Sequence, residues 1–413
     1  MSNAFKAADI LIPSNVEMEK WSVVACDQYT SEPEYWQETE RTVGDAPSAL
    51  RLILPEVYLE NSDVDERINE IHRSMEKYLS DGIFKEYKNA MIYVERTTSD
   101  GVRAGVVGAI DLEEYDYRKG SKSSVRATEA TVVERIPPRI KVRTGAPLEL
   151  PHIMILIDDA KRTVIEKIGE KKAKLEKLYD FELMQGGGHI AGYLLGESEI
   201  NEITAALDAL GDPGEFNARY GLSGEPVMLY AMGDGNHSLA TAKEYYERVK
   251  KENPNSSARY ALAEIVNLHS DALRFEAIHR IVTGVDVGKL LSELKVSLGA
   301  SENGDGQSFT VVNNGSEEKL FITRPTSNLT VGSLQQFLDA YIKENGGKID
   351  YIHGADVVRR LSEASDSVGF LLPDMSKEEL FPTVIKDGAL PRKTFSMGHA
   401  QDKRFYTEAR RIG

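Results

Sequence analysis

Apolar residues recur along this chain with two distinct periods. Spacings of three and four place Ile68, Ile71, Met75 and Leu79 on one face of residues 64–79, which predicts an amphipathic helix capped by Ser62. Helices are also predicted at 198–210 (capped by Ser198), 239–249, 331–343, 355–364 and 377–386. Strands are predicted at 90–97 and 102–112, joined through Ser99-Asp100-Gly101 as a hairpin. A second strand pair, 180–184 and 190–195, flanks Gln185-Gly-Gly-Gly-His189. A third, 309–312 and 319–323, flanks Asn314-Gly315. The apolar run 152–157 reads as a buried strand, as do 226–232 and 260–267. Near the end, strand 348–352, helix 355–364 and strand 368–372 predict a parallel pair, and 390–398 an extended tail. Residues 10–60 are broken by Pro13, Pro33, Pro47 and Pro55 and read as a long wrap or a set of short strands. In residues 126–144, Pro137-Pro138 argues against a continuous helix. The alternation predicts an α/β (α+β) protein with a mixed sheet core. The main domain is expected over residues 1–283, with a smaller C-terminal α/β lobe over 284–413.

Composition narrows the function classes. A chain of 413 residues has room for two or three domains and a sizeable core. The formal net charge of −16 disfavours nucleic acid and anionic membranes as partners, though not a local basic pocket. The lone cysteine, Cys26, rules out an internal disulfide. With no span-length apolar run and no signal-peptide core in the first ten residues, the reading is cytoplasmic. Nothing in the sequence sets an oligomeric state.

The candidate chemistry centres on Gly233-Asp234-Gly235-Asn236-His237-Ser238, between an apolar run and a helical one. A strand, a glycine turn and a helix start place free backbone N–H groups around one point, at the positive end of the helix dipole, where an anion binds. Gly235 allows close approach of a ligand, while Asn236, His237 and Ser238 offer donors to phosphate oxygens. Asp234 offers a ligand to a divalent cation or an acceptor for a hydroxyl proton. The competing reading is an ordinary strand-to-helix loop with Ser238 as cap. No Gly-Lys-Ser/Thr follows, so the turn is not a P-loop. Two cationic features stand apart from it: Ile278-His279-Arg280, and the basic segment Arg126, Arg135, Arg139, Lys141, Arg143 with Glu129, Thr131 and Glu134 alongside. Gly186-Gly-Gly-His189 precedes no helix and reads as a hairpin turn. The eight histidines show no metal-ligand spacing. Cys26 reads as a small buried residue beside the more interesting Asp27.

Several of these pieces occur together in the order of a known family. Asp234-Gly-Asn-His-Ser-Leu-Ala-Thr-Ala242, Ile278-His-Arg-Ile-Val282, Thr128-Glu-Ala-Thr131 and Leu390-Pro-Arg-Lys-Thr-Phe395 resemble the bacterial DUF1015 family over nearly the whole chain. That family's turn is similar to the Gly-x-x-Arg turn of ParB/sulfiredoxin-like proteins, which cradles nucleotide phosphates. Some of those relatives hydrolyse CTP, some use ATP to repair an oxidised cysteine, and some phosphorylate free serine. The resemblance implies a nucleotide (ATP, ADP or CTP) with Mg²⁺ as cofactor, and phosphoryl transfer to a small metabolite. The alternative is a regulatory protein that binds a nucleotide or phosphorylated metabolite and changes no bond. By resemblance, Gly235, Asn236, His237 and Ser238 are the phosphate turn, with Ser238 where the relatives carry Arg. Arg280, Lys393 or the basic segment (Arg139, Lys141, Arg143) would replace that cation. Asp234 or Glu129 would ligate the metal, and Asp27 or Glu129 would take the acceptor's proton.

Overall fold

The computed structural model describes residues 3–30, 32–129, 131 and 136–412. The chain divides into two compact units: Met1–Leu273 with Gly398–Gly413, and Arg274–Met397.

The first unit is built on a mixed sheet of ten strands among the described residues. Its order runs Glu176–Leu183, Gly188–Leu194, Ile92–Thr98, Gly101–Asp111, Tyr260–Asn267, Met154–Ile157, Tyr230–Asp234, Val125–Arg126 and Tyr115–Asp116, with Phe5–Lys6 added beside Gly101–Asp111. Both expected hairpins form, and the Gly-rich run 186–188 is the turn of one of them. Met154–Ile157 lies parallel to Tyr260–Asn267 and antiparallel to Tyr230–Asp234; it is buried on both faces and reads as an unbroken apolar run, while Tyr260–Asn267 is as buried but carries Glu264.

The stretch expected to be irregular contains a helix, Pro33–Val43. Pro33 sits in its first turn, where the N–H that proline lacks has no helical partner anyway. The same physics overturns the expectation for Pro137-Pro138: both fall at the head of a helix, Ile136–Arg143. Helix Val64–Ser80 buries Ile68, Ile71, Met75 and Tyr78. Tyr78 rather than Leu79 completes the stripe, and Asp63 rather than Ser62 precedes the helix. Those residues join Trp21 and Trp36 in one core with Phe405 and Tyr406 of the returning C-terminal segment. That segment also carries charge inward. Arg404 lies 2.9 Å from Glu264 and 2.7 Å from Glu408, all three buried, and Arg410 lies 2.8 Å from Glu149.

Among the described residues the second unit holds a six-stranded sheet whose path is Ser316–Phe321, Ser308–Asn313, Ser367–Leu371, Phe275–Thr283, Lys348–His353, with Phe395–Met397 added beside Phe275–Thr283. The expected parallel pair is not adjacent. Lys348–His353 and Ser367–Leu371 run the same way, but Phe275–Thr283 lies between them, antiparallel to both. Helix Ala355–Leu361 makes the crossover.

Candidate functional site

The strand before the turn extends through Asp234, and helix Asn236–Val249 begins three residues earlier than its apolar pattern indicates. Asn236, His237 and Ser238 are therefore the first turn of the helix. Gly235 is the cap, at φ 81° and ψ 27°, a left-handed conformation that disfavours a side chain. A Cβ there would also meet the Ile153 Cα at 3.2 Å. No side chain caps this helix among the described residues. The Gly235 N–H donates to its neighbour Asp234 Oδ1 at 3.0 Å, and the Leu239 N–H to the Gly235 carbonyl at 3.0 Å. Asn236 Oδ1 is buried and has no hydrogen-bond partner among the described residues. Asp234 Oδ2 lies 3.4 Å from Lys403 Nζ.

The sheet register brings a histidine against this turn. Met154 pairs with Asp234, so His152, two residues earlier, packs its ring 3.6 Å from where a Gly235 Cβ would stand. His152 is 3% exposed. Its Nε2 is 3.2 Å from Ser238 Oγ and 3.5 Å from Asp27 Oδ2, and its Nδ1 is 2.7 Å from the Tyr406 hydroxyl. The Cys26 N–H donates to that hydroxyl at 3.2 Å, and Val23–Val24 pairs with Phe405–Tyr406, which fixes Asp27 beside the ring. Burial works against charge on both members of the Asp27–His152 pair. The opposite charge overrides it. The imidazolium holds the Asp27 carboxyl well below the usual carboxylate range, helped by Gln28 and Lys403. In return Asp27, with Asp234 and Glu56, raises His152 above the ordinary imidazole value. Burial pushes the Cys26 thiol up, so it stays protonated.

Ser238, His152 and Asp27 do not make a hydrolase triad. In that arrangement the carboxylate orients the ring nitrogen remote from the serine. Here Asp27 and Ser238 share Nε2, and Tyr406 takes Nδ1. The cluster instead presents a buried, proton-bearing ring beside a helix N-terminus.

The basic segment meets the same place. Helix Ile136–Arg143 packs on helix Asn236–Val249 through Ile136, Ile140 and Ala240. Its cations are not left for a ligand alone. Arg139 is paired with Glu56, Arg143 with Glu149, and Lys141 lies 3.1 Å from Asp65 on the surface. Arg126 bonds the carbonyls of Ser123 and Pro226 at 2.8 and 3.0 Å. Arg135 and Glu134 lie outside the described residues. Glu129 follows the short strand Val125–Arg126 and is half-buried.

Arg280 and Lys393 belong to the second unit. The Arg280 guanidinium, 0% exposed, bonds Gln335 and the carbonyls of Ile278, Arg392 and Lys393, a structural task inside that unit. That corrects the expectation of Arg280 as a phosphate ligand, because a sealed and saturated guanidinium has no donor to offer. Lys393 is exposed, at φ 54°. His279 Nδ1 accepts the Leu372 N–H at 3.1 Å, and burial lowers its pKa.

Among the described residues no group of three or more His, Cys, Asp or Glu side chains is placed to hold a metal ion. Asp234 and Asp27, the carboxylates nearest the turn, are each set against a cation, Lys403 and His152. This donor set does not fit a resident Mg²⁺. No helix among the described residues is long and apolar enough to cross a membrane.

The chain matches the family described as "Protein of unknown function (DUF1015)" over residues 10–341. It belongs to the DUF1015 family. No curated protein matches it in sequence. Among solved structures, C-terminally truncated SbnI from Staphylococcus aureus is 9% identical, with 73% of this chain and 85% of that one covered at a TM-score of 0.37. A free serine kinase in complex with AMP is 14% identical, with 72% and 90% covered at 0.38. A conserved hypothetical protein from Pyrococcus furiosus is 12% identical, with 70% and 89% covered at 0.35.

In this DUF1015 protein the sequence reading did not single out His152, Lys403 or Tyr406 as members of the cluster. His152 was visible as the first residue of an apolar run, a polar group at the mouth of a buried strand. Lys403 and Tyr406 carry no local signal, since they arrive from the chain end.

Proposed function

We propose that this protein binds a nucleotide or other phosphorylated small molecule at the head of helix Asn236–Val249, and that it transfers a phosphoryl group to a metabolite hydroxyl. The observation that carries the proposal is the start of a 14-residue helix with no side-chain cap, beside the buried His152 and within reach of Lys403. Backbone amides at a positive dipole end hold phosphate oxygens without any change of protonation. The positive charge of His152 and Lys403 supplements them, which offsets the arginine missing at Ser238. A loose phosphoryl-transfer transition state asks little of a base. Asp27, with its pKa held low, is a poor base and a good hydrogen-bond acceptor, so its role is to orient the incoming hydroxyl. The strand–turn–helix likeness to ParB/sulfiredoxin-like proteins belongs to the same proposal. So does a small-molecule rather than nucleic-acid ligand, given the charge of −16. Titration calorimetry with ATP, ADP and CTP, with and without Mg²⁺, tests it. Absence of binding heat at millimolar nucleotide removes the reading.

A second reading has its own support. Both carboxylates nearest the turn are charge-paired, and Ser238 brings no charge to it. A protein that binds the phosphorylated ligand and changes no bond fits those facts. Mass spectrometry of nucleotide turnover across a metabolite panel that includes serine separates the two.

A further inference from the structure

Beneath the helix start lies a cavity of about 150 Å³. Leu52, Leu54, Met75, Val142, Leu148 and Leu150 form its apolar wall, and Ser238, Thr241, His152, Tyr406 and Cys26 also line it. The polar lining is contiguous: Ser238 touches His152, His152 touches Tyr406, and Tyr406 accepts from Cys26. The cations on the wall, Arg139 and Arg143, are paired with Glu56 and Glu149, which line it too. Charge on the wall is therefore balanced, and the wall selects for uncharged surface.

We infer that this cavity binds the apolar tail of a small alcohol whose hydroxyl meets the Ser238–His152 pair. An apolar cavity of about this volume accepts a ring or branched chain of about six carbon atoms and excludes a polyol, whose hydroxyls would lose water without partners. The inference deepens the proposed function by naming the class of phosphoryl acceptor. It rests on that reading only for the fate of the hydroxyl, not for binding.

The test is NMR titration of the nucleotide-free, full-length protein, following the Met75 methyl signal. The probes are cyclohexanol, benzyl alcohol and 3-methylbutan-1-ol, with glycerol and inositol as polar controls. The expected result is saturable shifts at millimolar concentration with the three apolar alcohols and none with the controls. Ala146→Leu, at a small residue of the lining, fills the cavity and is expected to weaken cyclohexanol about tenfold, equivalent to about 1.4 kcal/mol. Leu54→Ala, which enlarges it, is expected to admit a bulkier alcohol such as 1-adamantanol that the unmodified protein rejects. If one variant fails to fold, the other still tests the site. Polyols binding as well as the apolar alcohols would overturn the inference, and so would no shift with any alcohol. Because no nucleotide is present, loss of the phosphoryl-transfer reading would leave this result standing, and the converse also holds.

Discussion

Replacing Asp27 by Asn and His152 by Gln, singly and together, measures how much the central ion pair holds the site together. The two charges lie 3.5 Å apart, with His152 buried and Asp27 27% exposed on its side chain. At that separation an effective dielectric of about 20 gives a gross attraction of about 5 kcal/mol. Stripping water from the imidazolium takes most of it back, and the net worth of a hydrogen bond between charged groups is about 2 kcal/mol. The coupling must also depend on pH, in a stated direction. His152 is raised in the folded state, so its contribution is complete below about 6.5 and fades as pH rises through the folded value. Asp27 is depressed, so its contribution is present above about 3.9 and fades as pH falls through its own folded value. The coupling energy from a urea-denaturation double-mutant cycle is therefore expected to be largest at about pH 5–6 and to shrink as pH rises through the folded His152 value. In Asp27→Asn the His152 ring should titrate lower than in the unmodified protein, because burial is then less opposed. A coupling that stays flat as the His152 ring loses its proton, or a His152 titration unmoved by Asp27→Asn, would refute the reasoning.

Gly235→Ala is expected to cost about 1–2 kcal/mol in urea denaturation, because φ is positive there and the new Cβ would crowd Ile153. Ser238→Arg adds a cation to the helix head and is expected to tighten nucleotide binding about tenfold by calorimetry; unchanged or weaker binding counts against a phosphate there. Glu149→Gln leaves Arg143 and Arg410 without their buried carboxylate and is expected to destabilise the fold by about 3–5 kcal/mol, lowering its thermal midpoint in calorimetry. Cys26, its thiol pushed up by burial, is expected to react with iodoacetamide at pH 8 at least about tenfold more slowly than a free cysteine thiol.

What local sequence can encode was legible. The hairpins around Ser99-Asp100-Gly101 and Gln185–His189, the amphipathic helix after Asp63 and the strand–glycine–helix turn at 234–238 each depend on residues within a few positions of one another. Their period or their turn chemistry is enough. Prolines were read too strictly: Pro33, Pro137 and Pro138 signalled breaks, whereas a helix tolerates proline in its first turn. The basic residues carry two readings in the sequence, an anion site or charges neutralised by carboxylates on a solvated face, because a sequence does not show partners. The tertiary structure commits Arg139 to Glu56, 83 residues away, and closes Arg280 inside the second unit.

The chain by itself determined that a helix starts at a glycine directly after a strand, since a glycine and three small or polar residues after a strand suffice to build such a turn. Only folding decided what surrounds it. His152 reaches the turn through strand register, and Asp27, Lys403 and Tyr406 come from opposite ends of the sequence. Proximity across 379 residues, as between Asp27 and Tyr406 about one ring, is set by which apolar faces pack together, and that is a property of the whole core rather than of any segment.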